Sequence, residues 1–167
     1  MLAITLLAFL CVSASADDDH ARSSSDNGEY GGTDGKPFSH SVNQLEGPIT
    51  AIRVRADKSY ITGLQARYSK SWGDYVGGKH GDLKEISLYP GESVIKISGK
   101  HDDNLRKLVF LTNRGRLLSF GRDTGTSFSA APLHPNMVLQ FISGRADDSI
   151  RAIGLHWGIN PGSQDSQ

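Results

Sequence analysis

Ser98-Gly99-Lys100-His101-Asp102-Asp103-Asn104-Leu105-Arg106-Lys107-Leu108-Val109-Phe110 returns 45 residues later as Ser143-Gly144-Arg145-Ala146-Asp147-Asp148-Ser149-Ile150-Arg151-Ala152-Ile153-Gly154-Leu155. Serine, glycine, both aspartates and an arginine recur unchanged, while Lys/Arg and Leu/Ile exchange within type. A fainter copy lies upstream, where Ile61, Leu64 and Ala66 stand 44 residues before Leu105, Leu108 and Phe110. A period in this range is the mark of a repeated array. Three similar β-units in one small closed architecture are therefore expected, rather than two unlike lobes.

The rest of the chain fits that reading. Short alternating runs dominate, among them Ile52-Arg53-Val54-Arg55, Leu64-Gln65-Ala66-Arg67-Tyr68, Val94-Ile95-Lys96-Ile97, Leu117-Leu118-Ser119-Phe120 and Val138-Leu139-Gln140-Phe141-Ile142. Alternation of this kind specifies strands. Turn chemistry separates them at Gly31-Gly32-Thr33-Asp34-Gly35, Gly77-Gly78, Pro90-Gly91, Asn113-Arg114-Gly115 and His134-Pro135-Asn136. No window of a dozen residues carries the apolar spacing and caps of a helix. The class is all-β, in one domain.

Residues 1–16 hold an apolar run ending in Ala14-Ser15-Ala16, the pattern of a signal peptide and its cleavage site. A secreted, extracellular protein without a membrane span is expected, since the run is too short to cross a bilayer. The one cysteine, Cys11, lies in that segment, so free-thiol catalysis and cysteine zinc sites are excluded from the mature chain. Residues 17–29 are acidic and lack apolar anchors, and read as a disordered leader; residues 158–167 read as a disordered tail. Residues 30–157 form the domain, and residues 30–167 hold 17 Lys and Arg against 13 Asp and Glu. That excess is too small to argue for nucleic acid.

Candidate chemistry is sparse. Asp123-Thr124-Gly125-Thr126-Ser127 matches the Asp-Thr-Gly core of aspartic proteases, in which two carboxylates share a proton. Only one copy exists, and a polar hairpin turn accounts for it better. The six histidines lack metal-ligand spacing, and no Gly-x-Ser-x-Gly elbow appears. No metal or other cofactor is expected, and no enzymatic activity. Arg53 and Arg55 share one face of a strand, with Lys58 and Lys79 in nearby turns, as a candidate patch for anionic glycans such as glycosaminoglycans.

Several longer motifs carry a resemblance. Gly28-Glu29-Tyr30-Gly31-Gly32, Lys36-Pro37-Phe38-Ser39-His40, Gly47-Pro48-Ile49-Thr50-Ala51-Ile52-Arg53-Val54-Arg55 and Trp72-Gly73-Asp74-Tyr75-Val76-Gly77-Gly78 resemble the jacalin-related lectins. Leu88-Tyr89-Pro90-Gly91-Glu92-Ser93-Val94-Ile95, Gly125-Thr126-Ser127-Phe128 and Phe141-Ile142-Ser143-Gly144-Arg145 resemble its animal branch, the zymogen granule membrane protein 16 group. The resemblance implies a β-prism of three Greek-key, four-stranded sheets with pseudo-threefold symmetry, a carbohydrate ligand, and a setting in secretory granules or at mucosal surfaces.

It also implies a site. In the family the sugar lies between a glycine-rich loop, matched here by Gly31, Gly32, Gly35 and Lys36, and a turn of pattern Gly-x-x-x-Asp. That turn corresponds to Asp147-Asp148-Ser149-Ile150-Arg151, with aspartate at the glycine position and Arg151 at the aspartate position. An acceptor-only group has become a donor-only cation. Lost charge-assisted bonds worth roughly 1.5–3 kcal/mol each argue against the usual mannose specificity. Arg151 with Lys36 would then recognise an anionic or sulfated saccharide; alternatively Asp147 or Asp148 takes the acceptor role for a neutral one. A third outcome is an inactive site on a protein-interaction or granule-packing module.

Overall fold

The computed structural model describes residues 24–160; the expected signal peptide lies outside them. In chain order the strands are β1 (Ser24–Gly31), β2 (Lys36–Ser39), β3 (Ile49–Ala56), β4 (Ile61–Tyr68), β5 (Ser71–Trp72), β6 (Val76–Gly77), β7 (Asp82–Ser87), β8 (Val94–His101), β9 (Leu105–Thr112), β10 (Leu117–Gly121), β11 (Thr126–Ala130), β12 (Met137–Ala146) and β13 (Ile150–Ile159). One 3-10 turn spans Asn43–Glu46.

These strands make three antiparallel sheets, each built around a hairpin with an outer strand on either side. Sheet A has the order β1-β13-β12-β2, sheet B β5-β4-β3-β7 with β6 also on β4, and sheet C β10-β9-β8-β11. Sheets B and C are Greek keys drawn from consecutive strands. Sheet A repeats the arrangement with its two outer strands taken from the start of the domain and its hairpin from the end, which closes the prism.

The repeat seen in the sequence is a repeat of irregularities. Thr50, Ile95 and Gln140, spaced by 45, are each skipped in the pairing of their central hairpin. Thr62, Arg106 and Arg151 are skipped near the other end of the same hairpins. A bulge inserts one residue and resets which side chains face inward. That explains the spacing of three and then two in Ile61/Leu64/Ala66, Leu105/Leu108/Phe110 and Ile150/Ile153/Leu155, all nine of which are buried in the common core. In an unbroken strand the first and second members of each set would face opposite sides.

Between the sheets, Tyr68, Ile97, Met137 and Trp157 fill the interior with these nine. His40 is buried there too, with Nδ1 2.9 Å from the Tyr68 hydroxyl and Nε2 3.0 Å from the Asp74 carbonyl oxygen. A carbonyl only accepts, so Nε2 carries the proton and Nδ1 accepts from Tyr68. Burial holds the His40 pKa below its ordinary value and raises that of Tyr68.

Two boundaries differ from expectation. Residues 24–29, read as part of a disordered leader, belong to β1, which pairs with β13. This strand is held by polar contacts: Asn27 Oδ1 accepts from the buried Trp157 indole at 2.7 Å, and its end is anchored by Tyr30, stacked on Phe128 at 4.5 Å. Gly158 and Ile159, read as the start of a disordered tail, complete β13.

Candidate functional site

Three hairpin tips and three glycine loops meet at one end of the prism. Each tip is closed by an aspartate whose carboxylate accepts a backbone N–H two residues on: Asp57 from Ser59 at 2.7 Å, Asp102 from Asn104 at 2.9 Å and Asp147 from Ser149 at 3.4 Å. Aspartate favours such turns because its side chain reaches its own backbone. Each outer loop has glycines at both ends in left-handed conformation, Gly31 and Gly35, Gly77 and Gly81, Gly121 and Gly125. The first glycine of each sits against the carbonyl oxygen of a bulge residue: a Cβ on Gly31, Gly77 or Gly121 would lie 2.1 Å from the oxygen of Arg151, Thr62 or Arg106 respectively. The next residue, Gly32, Gly78 or Arg122, donates its N–H to that same oxygen at 2.8–2.9 Å.

In sheet A this device brings the loop of residues 31–36 against the tip of residues 146–151. Lys36 pairs with Ala146 across β2 and β12, and Gly35 packs on the Arg151 side chain. Gly32 lies against the Asp103 backbone of the neighbouring tip, so the loop is wedged between sheets A and C.

Arg151 is held inside the tip rather than extended over the loop. Its Nε donates to Asp147 Oδ1 at 2.8 Å and its Nη1 to Asn104 Oδ1 at 2.9 Å. The two residues that depart from the family pattern are thus partners of each other. The same pair occurs one repeat earlier, where Arg106 Nε donates to Asp102 at 2.7 Å. The guanidinium lowers the Asp147 pKa, and that carboxylate, with Asp34 and Asp148 nearby, raises the Arg151 pKa.

Ser149 was expected to face the ligand and does not. It is buried, and its hydroxyl donates to Asn104 Oδ1 at 2.9 Å, which locks the A and C tips together. Asn104 carries no local signal of this role, because its partners Ser149 and Arg151 stand 45 and 47 positions away; its equivalence to Ser149 in the repeat is the signal the sequence offers. Asp34, Lys36, Asp147 and Asp148 remain exposed around the site.

The candidate anionic patch separates into two kinds of cation. Arg53 Nε donates to Glu85 at 2.6 Å, and its guanidinium lies 3.8 Å above the Trp72 ring, so its charge is compensated. Arg55 donates to the Gly81 carbonyl at 2.9 Å and to the Tyr75 hydroxyl at 3.1 Å, both neutral acceptors. Lys58 and Lys79, like Lys36, are exposed and make no ion pair among the described residues. The loop containing Lys79 adjoins the tip of residues 146–151, with Gly78 packed on the Asp148 carbonyl.

Asp123, from the Asp-Thr-Gly motif, lies 2.9 Å from Lys100 Nζ and 3.3 Å from Lys107 Nζ. These cations lower its pKa, and its carboxylate pairs with ammonium groups where a proton-sharing dyad has a second carboxylate. The protease reading is set aside on that ground.

Comparison with known proteins places this geometry. The model of the Jacalin-like lectin domain matches residues 27–156. The chain is 64% identical to zymogen granule membrane protein 16 of Homo sapiens over 163 residues, 98% of each chain. Among solved structures it is similar to a prostate-specific WGA16 glycoprotein lectin, with TM-score 0.71 and 35% identity over 81% of this chain and 99% of that one. Malaysian banana lectin superposes with TM-score 0.69 at 25% identity, over 82% of this chain and 99% of that one. With its family model covering most of a three-sheet prism, the chain belongs to the Jacalin-like lectin family.

Proposed function

We propose that this protein is an exported carbohydrate-binding lectin whose site has lost the carboxylate that reads neutral mannosides, and that it engages anionic or sulfated glycans through the cations beside that site. The observation that carries the reading is the Asp147–Arg151–Asn104 interlock. It occupies the acceptor position and spends the arginine internally. Contact with an anionic polymer therefore falls to Lys36, Lys58 and Lys79, with the Arg55 charge behind them. The relationship to zymogen granule proteins supports a route through secretory granules, and the apolar run ending at Ala16 supports export. Among the described residues no helix is long and apolar enough to cross a membrane.

The test is a heparin titration of the full chain at increasing salt. Screened ion pairs weaken as the Debye length shrinks to about 3 Å at 1 M, so affinity should fall steeply, and Lys36→Gln/Lys58→Gln/Lys79→Gln should abolish most of it. Salt-independent binding, or full binding by the triple variant, would contradict the reading.

A further inference from the structure

Away from the sugar site, the outer face of sheet A carries an ordered chain of three side chains from three strands. The Ser143 Oγ on β12 lies 2.7 Å from His156 Nε2 on β13. His156 Nδ1 lies 2.6 Å from Asp26 Oδ1 on β1. An ionised carboxylate only accepts, so Nδ1 carries the ring proton and Nε2 presents its lone pair to the serine hydroxyl. Phe141 stacks flat on the imidazole at 4.2 Å and 4°, which fixes the ring plane in which both bonds are made.

The neighbours make this contact possible. Gly154 is the register partner of Ser143, and a Cβ there would lie 2.6 Å from Ser143 Oγ. The hydroxyl therefore occupies space that only glycine leaves, and leans diagonally to His156. On its other side Ser143 pairs with Ser39 of β2. Directly opposed residues share a face, so Ser39, whose hydroxyl accepts from the Ser41 backbone N–H at 3.2 Å, lies on the same face as Ser143.

We infer that Ser143 is an activated nucleophile, with His156 as general base and Asp26 as its positioning carboxylate, and that it takes acyl groups from short-chain esters. Ser143 Oγ bonds to the ester carbonyl carbon as Nε2 accepts the hydroxyl proton. The carbon–oxygen bond to the leaving group breaks, and the alcohol departs with that proton. Water then attacks the acyl-serine by the same route, releasing the carboxylic acid and restoring the hydroxyl. The functional arrangement is that of serine hydrolases, which recurs on unrelated folds and is recognised by geometry. The face is open, with the His156 side chain 23% and Asp26 70% exposed, so a small ester can reach it from solvent. No Gly-x-Ser-x-Gly elbow marks Ser143, which stands within β12.

The test incubates the native full chain with a fluorophosphonate probe, whose fluoride leaves as a serine–phosphorus bond forms, and with p-nitrophenyl acetate. The expected result is a stoichiometric adduct mapped to Ser143 and an acetate-dependent burst of p-nitrophenolate, both absent from Ser143→Ala. Asp26→Asn, which keeps an acceptor oxygen for His156 Nδ1, should slow labelling by about 100-fold or more at temperatures well below its melting point, the usual scale of a general-base contribution. Adducts confined to lysine, histidine or denatured protein would overturn the inference, as would Asp26→Asn labelling at the wild-type rate.

Discussion

Arg151 shows why a substitution at a binding position has to be read together with its surroundings. Taken alone, an arginine where the family pattern has aspartate looks like a new anion receptor. With Asp147 at the neighbouring departure and Asn104 across the tip, it is a structural crosslink like Arg106 with Asp102. Both members are partly exposed, so the pair contributes about 0.2–1 kcal/mol to stability, and its main consequence is for ligand chemistry. The pair at the other end of the molecule behaves differently. Glu92 is buried and accepts from Arg116 at 2.8 Å and Thr112 at 2.7 Å, and the Arg116 guanidinium holds its carboxyl down to about 2. A depressed carboxylate pKa stabilises the fold above the free value near 4.5 and loses that contribution as pH falls toward 2. Arg116→Gln orphans the buried charge and should cost about 3 kcal/mol near pH 7, roughly 10 °C in melting temperature. Melting scans from pH 7 to pH 2 check this: the gap to wild type should close as Glu92 protonates, and a gap independent of pH would refute the assignment.

At the scale of elements, the glycine loops and bulges form one repeated joint. Gly31, Gly77 and Gly121 are left-handed and each abuts a bulge carbonyl, whereas Gly91 and Gly115 are left-handed with open space around them. Alanine at either of the latter carries only the left-handed penalty, about 1–2 kcal/mol. Alanine at any of the first three adds a collision with backbone and should cost about 3–4 kcal/mol, in the severe part of the single-mutant range. Chemical denaturation of the five variants measures the contrast, and equal costs across them would refute the joint. Much of this level was legible in the sequence. The apolar spacing of three then two marks each bulge, and paired glycines mark each loop. The strand β1 was not legible, because Ser24, Ser25, Asp26 and Asn27 carry no apolar alternation. They form a strand through the β13 backbone ladder and through bonds to His156 and Trp157 more than 100 residues away, partners that no local pattern reveals.

For the whole molecule, the 45-residue period yields three sheets around one core, and the domain begins and ends in the same sheet. That closure ties β1 to β13 and gathers all three hairpin tips at one end, where loops from different repeats meet. The period and the core were readable because they depend on apolar side chains at regular spacing. The state of the site was not, because it depends on which polar group bonds which across sheets: Ser149 turns inward to Asn104, Arg151 turns back to Asp147, and Arg53 is neutralised by Glu85. On the proposed reading, this cross-sheet interlock replaces a sugar-reading carboxylate in an otherwise intact lectin framework. Calorimetric titration of methyl α-mannoside into wild type and Asp147→Gly/Arg151→Asp tests this, both residues being exchanged so that the Gly-x-x-x-Asp spacing is restored. Wild type is expected to bind no mannoside, and the double variant to bind it at about millimolar level, near 4 kcal/mol. Millimolar binding by wild type that is lost in Asp148→Asn would contradict it, and would place the acceptor on Asp148.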